Sequence, residues 1–312
     1  MAGWDNRDRQ ARHIVHDVDG LELVAISRRS REGRNQAEQW GCRWHADWRA
    51  LVADAEVDCV IAAVPPTLNP QVAAACAGAG KPLLLEKPMA VAGAEAVAMH
   101  DLFTHHKVGL TIGQTLRYNP VLNSLRRQLP NIGHLYSFTA NQRLEPATLA
   151  WLDEPSLAGA GVAFHLAVHV FDALRWITGQ EIIRIMARTR RVHGKRLEDH
   201  LVALVELDNG VIGTVDCSKI GPARSGRFEF VGSQGQLHAD QVHHVCELIR
   251  GQDCLPLEAG EPVNTIAPLL RDWLAFLRGR QPNPIPGSEG LAAVLVCEAC
   301  LRSAAQGGWV EV

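Results

Sequence analysis

Between residues 21 and 114 the sequence alternates short apolar runs with helix-patterned stretches, and few folds satisfy that alternation. LELVAIS (21–27), VDCVIAAVPP (57–66), PLLLEKP (82–88) and VGLTIGQ (108–114) have the composition of buried strands. A stretch near 31–40, NPQVAAACAGAG (69–80) and AGAEAVAMHDLFTHH (92–106) read as the helices between them. Apolar strands joined through helices call for a parallel sheet covered on both faces. After RYNPVLNSLRRQL (117–129) the texture changes. Strand-like stretches at 134–143, 181–190, 200–207, 211–218, 226–231 and 235–239 follow with short turns, and LDNGVIGTV sets Asn-Gly between apolar runs, a hairpin signal. A helix at about 161–178 precedes most of these strands, and QPNPIPG separates a helix near 266–279 from a last one near 288–305. The expected fold is α/β plus α+β. A Rossmann-like parallel sheet occupies 1–118, and an open, mostly antiparallel sheet with helices on one face occupies 119–312. A chain of 312 residues is long enough for both cores.

Composition narrows the function. A formal charge of -3 gives no electrostatic reason for a nucleic-acid or acidic-membrane partner. No apolar run approaches the roughly 20 residues of a membrane helix, and the first twenty residues hold no apolar export signal, so the expected location is cytoplasmic. The eight cysteines are scattered, and in a chain of this size without an export signal they are expected to be free thiols. Cys297 and Cys300 form C-x-x-C, but LAAVLVCEACLRSAA reads as a helix, where that spacing joins adjacent turns of a core.

Ligands of open α/β sheets bind beyond the carboxyl ends of the strands. Here those ends read Ser27-Arg28-Arg29, Val64-Pro65-Pro66 and Glu86-Lys87-Pro88. A lysine at such a tip can present its ammonium to a ligand, although composition alone favours a solvated lysine. In the second half, GAGVAFHLAVHVFDALRW sets His165 and His169 four residues apart, on one face of a helix. That spacing serves a metal, a packed pair or a ligand pocket. No third ligand stands at a dedicated spacing, and no metal site is expected.

AGAGKPLLLEKPMAV, GQTLRYNPVLNSLR and GAGVAFHLAVHVFDALRWITG, in that order, resemble the glucose–fructose oxidoreductase/inositol dehydrogenase (Gfo/Idh/MocA) family. The likeness runs from about residue 20 to the C-terminus. It implies an NAD(P)-dependent oxidoreductase acting on a sugar, inositol or related polyol, with a Rossmann domain and a second domain that builds the substrate pocket and often an oligomer interface. Lys87 matches the family's active-site lysine and His169 its catalytic histidine. Arg117 and Tyr118 fall in the second segment, on the substrate side. Asp172, one turn past His169, is placed to orient the imidazole or to serve as a structural partner. His165 stands where many relatives carry aspartate, which takes a carboxylate from beside Lys87 and points to altered substrate preference or altered chemistry. A broad open sheet with one uncovered face also suggests a homo-oligomer, dimer or tetramer.

A Rossmann domain ordinarily opens with a strand, G-x-G-x-x-G and a helix. The chain begins MAGWDNRDRQ, so the expected sheet is truncated at its N-terminus, with Gly3 a remnant of the phosphate loop and Asn6 at the place of its third glycine. NAD-binding domains usually end the second strand in Asp or Glu. Ser27-Arg28-Arg29 suits a 2′-phosphate instead, so NADP is favoured over NAD, with no cofactor if the gap is real and unfilled. Asn69 replaces a histidine common in relatives near the nicotinamide ribose. Two other readings stay open: a cofactor-free relative that binds a sugar-like ligand or a partner, and a redox-neutral lyase or hydrolase using bound nucleotide.

Overall fold

The computed structural model describes residues 17–28 and 30–312. They form two compact units, each discontinuous in sequence.

The first unit comprises the described part of Met1–Ala90, with Ala94–Gly113 and Ile266–Leu291. Its strands are short and parallel. β1 (Ala25–Ser27) pairs with β2 (Arg43–His45), and β3 (Val60–Ala62), β4 (Leu83–Leu85) and β5 (Leu110–Ile112) form a second sheet in that order. Helices α1 (Arg31–Trp40), α2 (Trp48–Ala53), α3 (Asn69–Gly78) and α4 (Gly93–His106) supply the crossovers. The three leucines of β4 are all buried, as a strand covered on both faces requires. QPNPIPG does more than separate two helices. Ile112 N–H donates to Ile285 O at 2.9 Å, and Asn283 bonds both the Thr111 hydroxyl (2.8 Å) and Leu110 O (2.8 Å), so this segment finishes the β5 edge. Prolines suit an edge because they need donate nothing outward.

Among the described residues no strand joins β1 to β3. A cavity of about 210 Å³ is lined by Leu21–Arg28 from one side, by Val57 and Cys59–Val64 from another, and by Trp40, Trp48 and Trp273. Gly3, Asn6 and Arg29 lie outside the described residues.

The second unit comprises Val91–Gly93, Gln114–Thr265 and Ala292–Val312. Its sheet contains β6 (Leu135–Arg143), β7 (Ile182–Arg190), β8 (His200–Leu207), β9 (Ile212–Ser218), β10 (Ser225–Gly232), β11 (Gly235–Asp240), β12 (Val245–Arg250), β13 (Asp253–Pro256) and β14 (Val310–Glu311). The order is β13-β12-β11-β10-β6-β9-β8-β7-β14, antiparallel throughout except for the β6–β9 pair. The Asn-Gly hairpin forms between β8 and β9, with Gly210 at φ +82° and its N–H on Leu207 O at 2.9 Å. Helices α5 (Pro120–Gln128) and α6 (Val168–Thr178) pack on each other, α6 also on β6 and α5 on β11 and β12. Tyr136, Ile183, Val202 and Ile212 are exposed apolar residues of these strands. Pro155–Thr178 has the length and hydropathy of a membrane span, yet 78% of that window is buried inside the protein. Its apolarity is that of a core helix.

Candidate functional site

In the first unit, hydrogen bonding carries the parallel ladder to the strand tips. Glu86 N–H donates to Ala62 O (2.9 Å) and Gly113 N–H to Leu85 O (2.8 Å), which fixes the backbone from which Lys87 projects. The Lys87–Pro88 peptide is cis. Asn69 is buried, and its Nδ2 donates to Pro88 O at 2.9 Å and Met89 O at 3.3 Å. It therefore braces the turn that follows Lys87. Val64-Pro65-Pro66 leads into a 3-10 turn, Pro66–Leu68, that feeds α3. The Arg28 guanidinium lies along α1, donating to Gln36 Oε1 and Glu32 Oε2, both at 2.9 Å. Ser27 and Arg28 line the cavity beside β1 and β3, and Val64 lines its other wall.

The second unit brings Arg117 and Asp172 together. Asn119 caps α5, accepting from Val121 N–H at 2.9 Å, and Pro120 takes the first helical position, where no donor is needed. That cap fixes the preceding turn. Arg117 then meets Asp172 in a bidentate pair, Nε to Oδ2 at 2.9 Å and Nη2 to Oδ1 at 2.6 Å, with the Asp172 side chain fully buried. Tyr118 closes the same short turn, Thr115–Tyr118.

From Ala160 to Arg175 every residue is buried except His165 and His169. The helix enters through a π turn, Ala163–Ala167, before α6 begins at Val168. Such turns are rare and concentrate at functional sites. The His165 ring meets Trp151 edge-on at 6.0 Å and lines a cavity of about 470 Å³.

Two loops wall that cavity, and sequence reasoning pointed to neither: residues 147–154 and 193–199, together with Lys219. Asp153 accepts from the amides of Lys195, Arg196 and Leu197 at 2.9, 3.0 and 2.8 Å. Asp199 accepts from those of Val192, His193 and Gly194 at 2.7, 2.6 and 2.8 Å. The Leu197 amide, followed by those of Arg196 and Lys195, holds the Asp153 carboxyl below its ordinary value against the pull of burial. At Asp199 burial pushes upward, but the three amides together win and the net direction is down. Glu198 differs: burial raises its carboxyl despite the Ala163 and Gly161 amides beside it. Its Oε1 accepts from Ala163 N–H at 3.2 Å and its carbonyl from Val162 N–H at 2.8 Å, so Glu198 closes the start of the histidine helix. A Cβ on Gly161 would stand 2.0 Å from Glu198 O. Gly161→Ala therefore forces Glu198 off the helix start, and is expected to lower kcat/KM about tenfold or more while the far-UV circular dichroism stays native.

Among the described residues no group of three or more His, Cys, Asp or Glu is placed to hold a metal ion. All eight cysteines are free thiols. Cys297 and Cys300 are buried, and the Cys297 thiol donates to Ala163 O at 3.2 Å. Burial pushes Cys76 and Cys217 up to about 12, so both are protonated at neutral pH.

A Rossmann-like unit with charged and polar strand tips, joined in one chain to a unit that walls a cavity with charged residues and a histidine helix, is an arrangement that nucleotide-dependent oxidoreductases use. Residues 2–114 match the oxidoreductase family with the NAD-binding Rossmann fold, and residues 130–238 match the GFO/IDH/MocA C-terminal domain. Inositol 2-dehydrogenase 1 of Saccharopolyspora erythraea is 30% identical over 318 residues, covering 96% of this chain and 91% of the relative. Among solved structures, levoglucosan dehydrogenase in complex with NADH and levoglucosan superposes with a TM-score of 0.86 at 22% identity, covering 97% of this chain and 94% of that one. The aldose-aldose oxidoreductase of Caulobacter crescentus complexed with glycerol gives 0.86 at 22% identity, covering 96% of each chain. The chain belongs to the GFO/IDH/MocA family of oxidoreductases and has that family's NAD-binding Rossmann domain.

Proposed function

We propose that this protein interconverts a secondary hydroxyl and a ketone on a sugar, inositol or related polyol, with Lys87 and His169 as the reaction pair. The observation that carries the reading is the stretch 160–175, in which only His165 and His169 escape burial. A chain that buries all the other residues of that stretch and leaves two imidazoles half-buried has placed titratable groups at the edge of its core, where a ligand can meet them. Bound nicotinamide supplies the hydride acceptor. The residues handle the proton: the neutral His169 imidazole takes it from the hydroxyl, and the Lys87 ammonium donates a hydrogen bond to the oxygen as charge develops. His165, as a donor in place of a carboxylate, orients a neighbouring oxygen. Arg117 is held by Asp172 and, with Tyr118, forms the remaining substrate contacts.

On the cofactor side we assign Ser27, Arg28 and Arg29 to the adenosine ribose, Val64, Pro65, Pro66 and Asn69 to the walls, and Glu86 and Lys87 to the nicotinamide end. Gly3 belongs to the phosphate loop. The proposed preference is for NADP. A 2′-phosphate carries more charge than the Glu32 carboxylate and competes for the same Arg28 guanidinium. Fluorescence titration is expected to give tighter binding of NADPH than NADH, and Arg28→Ala to weaken NADPH about tenfold while NADH changes less than about twofold. Absence of binding by either at millimolar concentration overturns the enzyme reading. The exposed Ile183, Val202 and Ile212 on the second unit's sheet support a homo-oligomer formed through that face.

A further inference from the structure

We propose that residues 192–197 form the substrate-selecting wall of the cavity beside His165, and that Asp153 and Asp199 are the positioning residues that hold it. The inference rests on the dehydrogenase reading and deepens it by naming where specificity is set.

Six consecutive backbone amides, those of residues 192–197, donate to two carboxylates, three to Asp199 and three to Asp153. The segment lies outside helix and strand, so these bonds stand in for a ladder. Carboxylate is the group suited to this. It offers acceptor sites on both oxygens, whereas an asparagine side chain keeps one acceptor oxygen and turns an NH₂ toward the amides. The segment is also tied to the helix. Asp153 lies two residues beyond Trp151, whose ring meets His165, and Leu197 is followed by Glu198, which bonds Ala163 at the start of the π turn. Moving the clamp moves both the wall and the imidazole it faces.

The clamped segment lines the cavity with His193, Lys195 and Arg196. The carboxylates of the same cavity already accept from protein donors: Asp153 and Asp199 from the amides, Glu154 from Arg196, and Glu198 from Ala163. The wall therefore offers hydrogen-bond donors to a ligand rich in hydroxyl or carbonyl oxygen. Its residue types sort one stereoisomer from another, and the clamp fixes where they stand.

The test compares wild type with Asp153→Asn, Asp199→Asn and Lys195→Ala. Amide exchange over 192–197 is measured at pH 7, together with kinetics on myo-inositol, scyllo-inositol, glucose and levoglucosan and titration with the better dinucleotide. The two asparagine variants are expected to exchange at least about tenfold faster there and to raise KM about tenfold, with kcat and dinucleotide affinity within about twofold. Lys195→Ala is expected to leave exchange unchanged and to reorder the four substrates. It also decides the wall if an asparagine variant does not fold, because an unchanged ranking overturns the assignment. Unchanged KM despite faster exchange, or a matching loss of dinucleotide affinity, overturns it as well. If wild type oxidises none of the four with either dinucleotide, the dehydrogenase reading fails. Calorimetric binding of the same polyols then decides the wall, equal affinities in wild type and variants overturning it.

Discussion

Lys87→Ala is expected to lower kcat by about 10²–10⁴-fold, the range of a positioned proton-transfer group, while dinucleotide affinity stays within about twofold of wild type. The split follows from where the residue stands. Its backbone is fixed by β4, through the bonds from Glu86 to Ala62 and from Gly113 to Leu85, and by Asn69 on the turn beyond. Truncating the side chain leaves that scaffold intact, so the strand tip keeps its shape. On the proposed mechanism the loss is an ammonium hydrogen bond to an oxygen whose charge grows in the transition state, and such a loss falls on kcat. His169→Gln is expected to cost a similar factor. On the proposed mechanism both groups act on the same hydroxyl in one step, so the double variant should be little slower than the slower single one. A Lys87→Ala enzyme with an unaffected rate places the chemistry elsewhere. A variant that also loses the dinucleotide makes Lys87 a cofactor anchor.

The parts of the fold that the sequence displayed are those whose own residues carry a period. LLL at 83–85 is buried on both faces, and VIA at 60–62 is buried except for the half-buried Ile61; both conditions are visible as apolar runs. Asn209-Gly210 displayed its hairpin because the turn needs a positive φ that glycine supplies. β2 and α2 went unseen because three and six residues are too few for any period, and the one local signal was the Asp47 cap, which accepts from Arg49 N–H at 3.0 Å. β12 and β13 lie toward one edge of the sheet, where β13 is exposed along its length and leaves no alternation to read. The candidate site divides the same way. Lys87, His165 and His169 stand out as unusual residue types at strand tips or on an apolar helix. Asp153 and Asp199 do not: Asp153 binds amides more than forty residues away, a separation no sequence spacing shows, and Asp199 binds amides five to seven residues back in a segment without helix or strand, where no period marks it. The π turn was equally hidden: it changes the hydrogen-bond partner and leaves residue types as they were.

Asp172→Ala is expected to destabilise the second unit by about 3–5 kcal/mol, measured by chemical denaturation. Asp172 is fully buried on α6, and Arg117 reaches it there with two nitrogens. Removing the carboxylate strands a guanidinium whose side chain is only 10% exposed, and a charge left without its counter-charge in that setting costs more than the pair itself contributes. The double variant Arg117→Met, Asp172→Leu removes both charges with little change in volume and is expected to recover most of the lost stability. Its activity then separates two roles. If Asp172 serves only to keep α6 and the Arg117 turn together, the stable double variant turns over with a normal kcat. If the pair holds Arg117 for the substrate, stability returns while KM stays raised by about tenfold or more, because the apolar pair restores the packing and not the donor. The bidentate geometry favours the second outcome, since a fork fixed on both nitrogens sets the direction of the donors that remain.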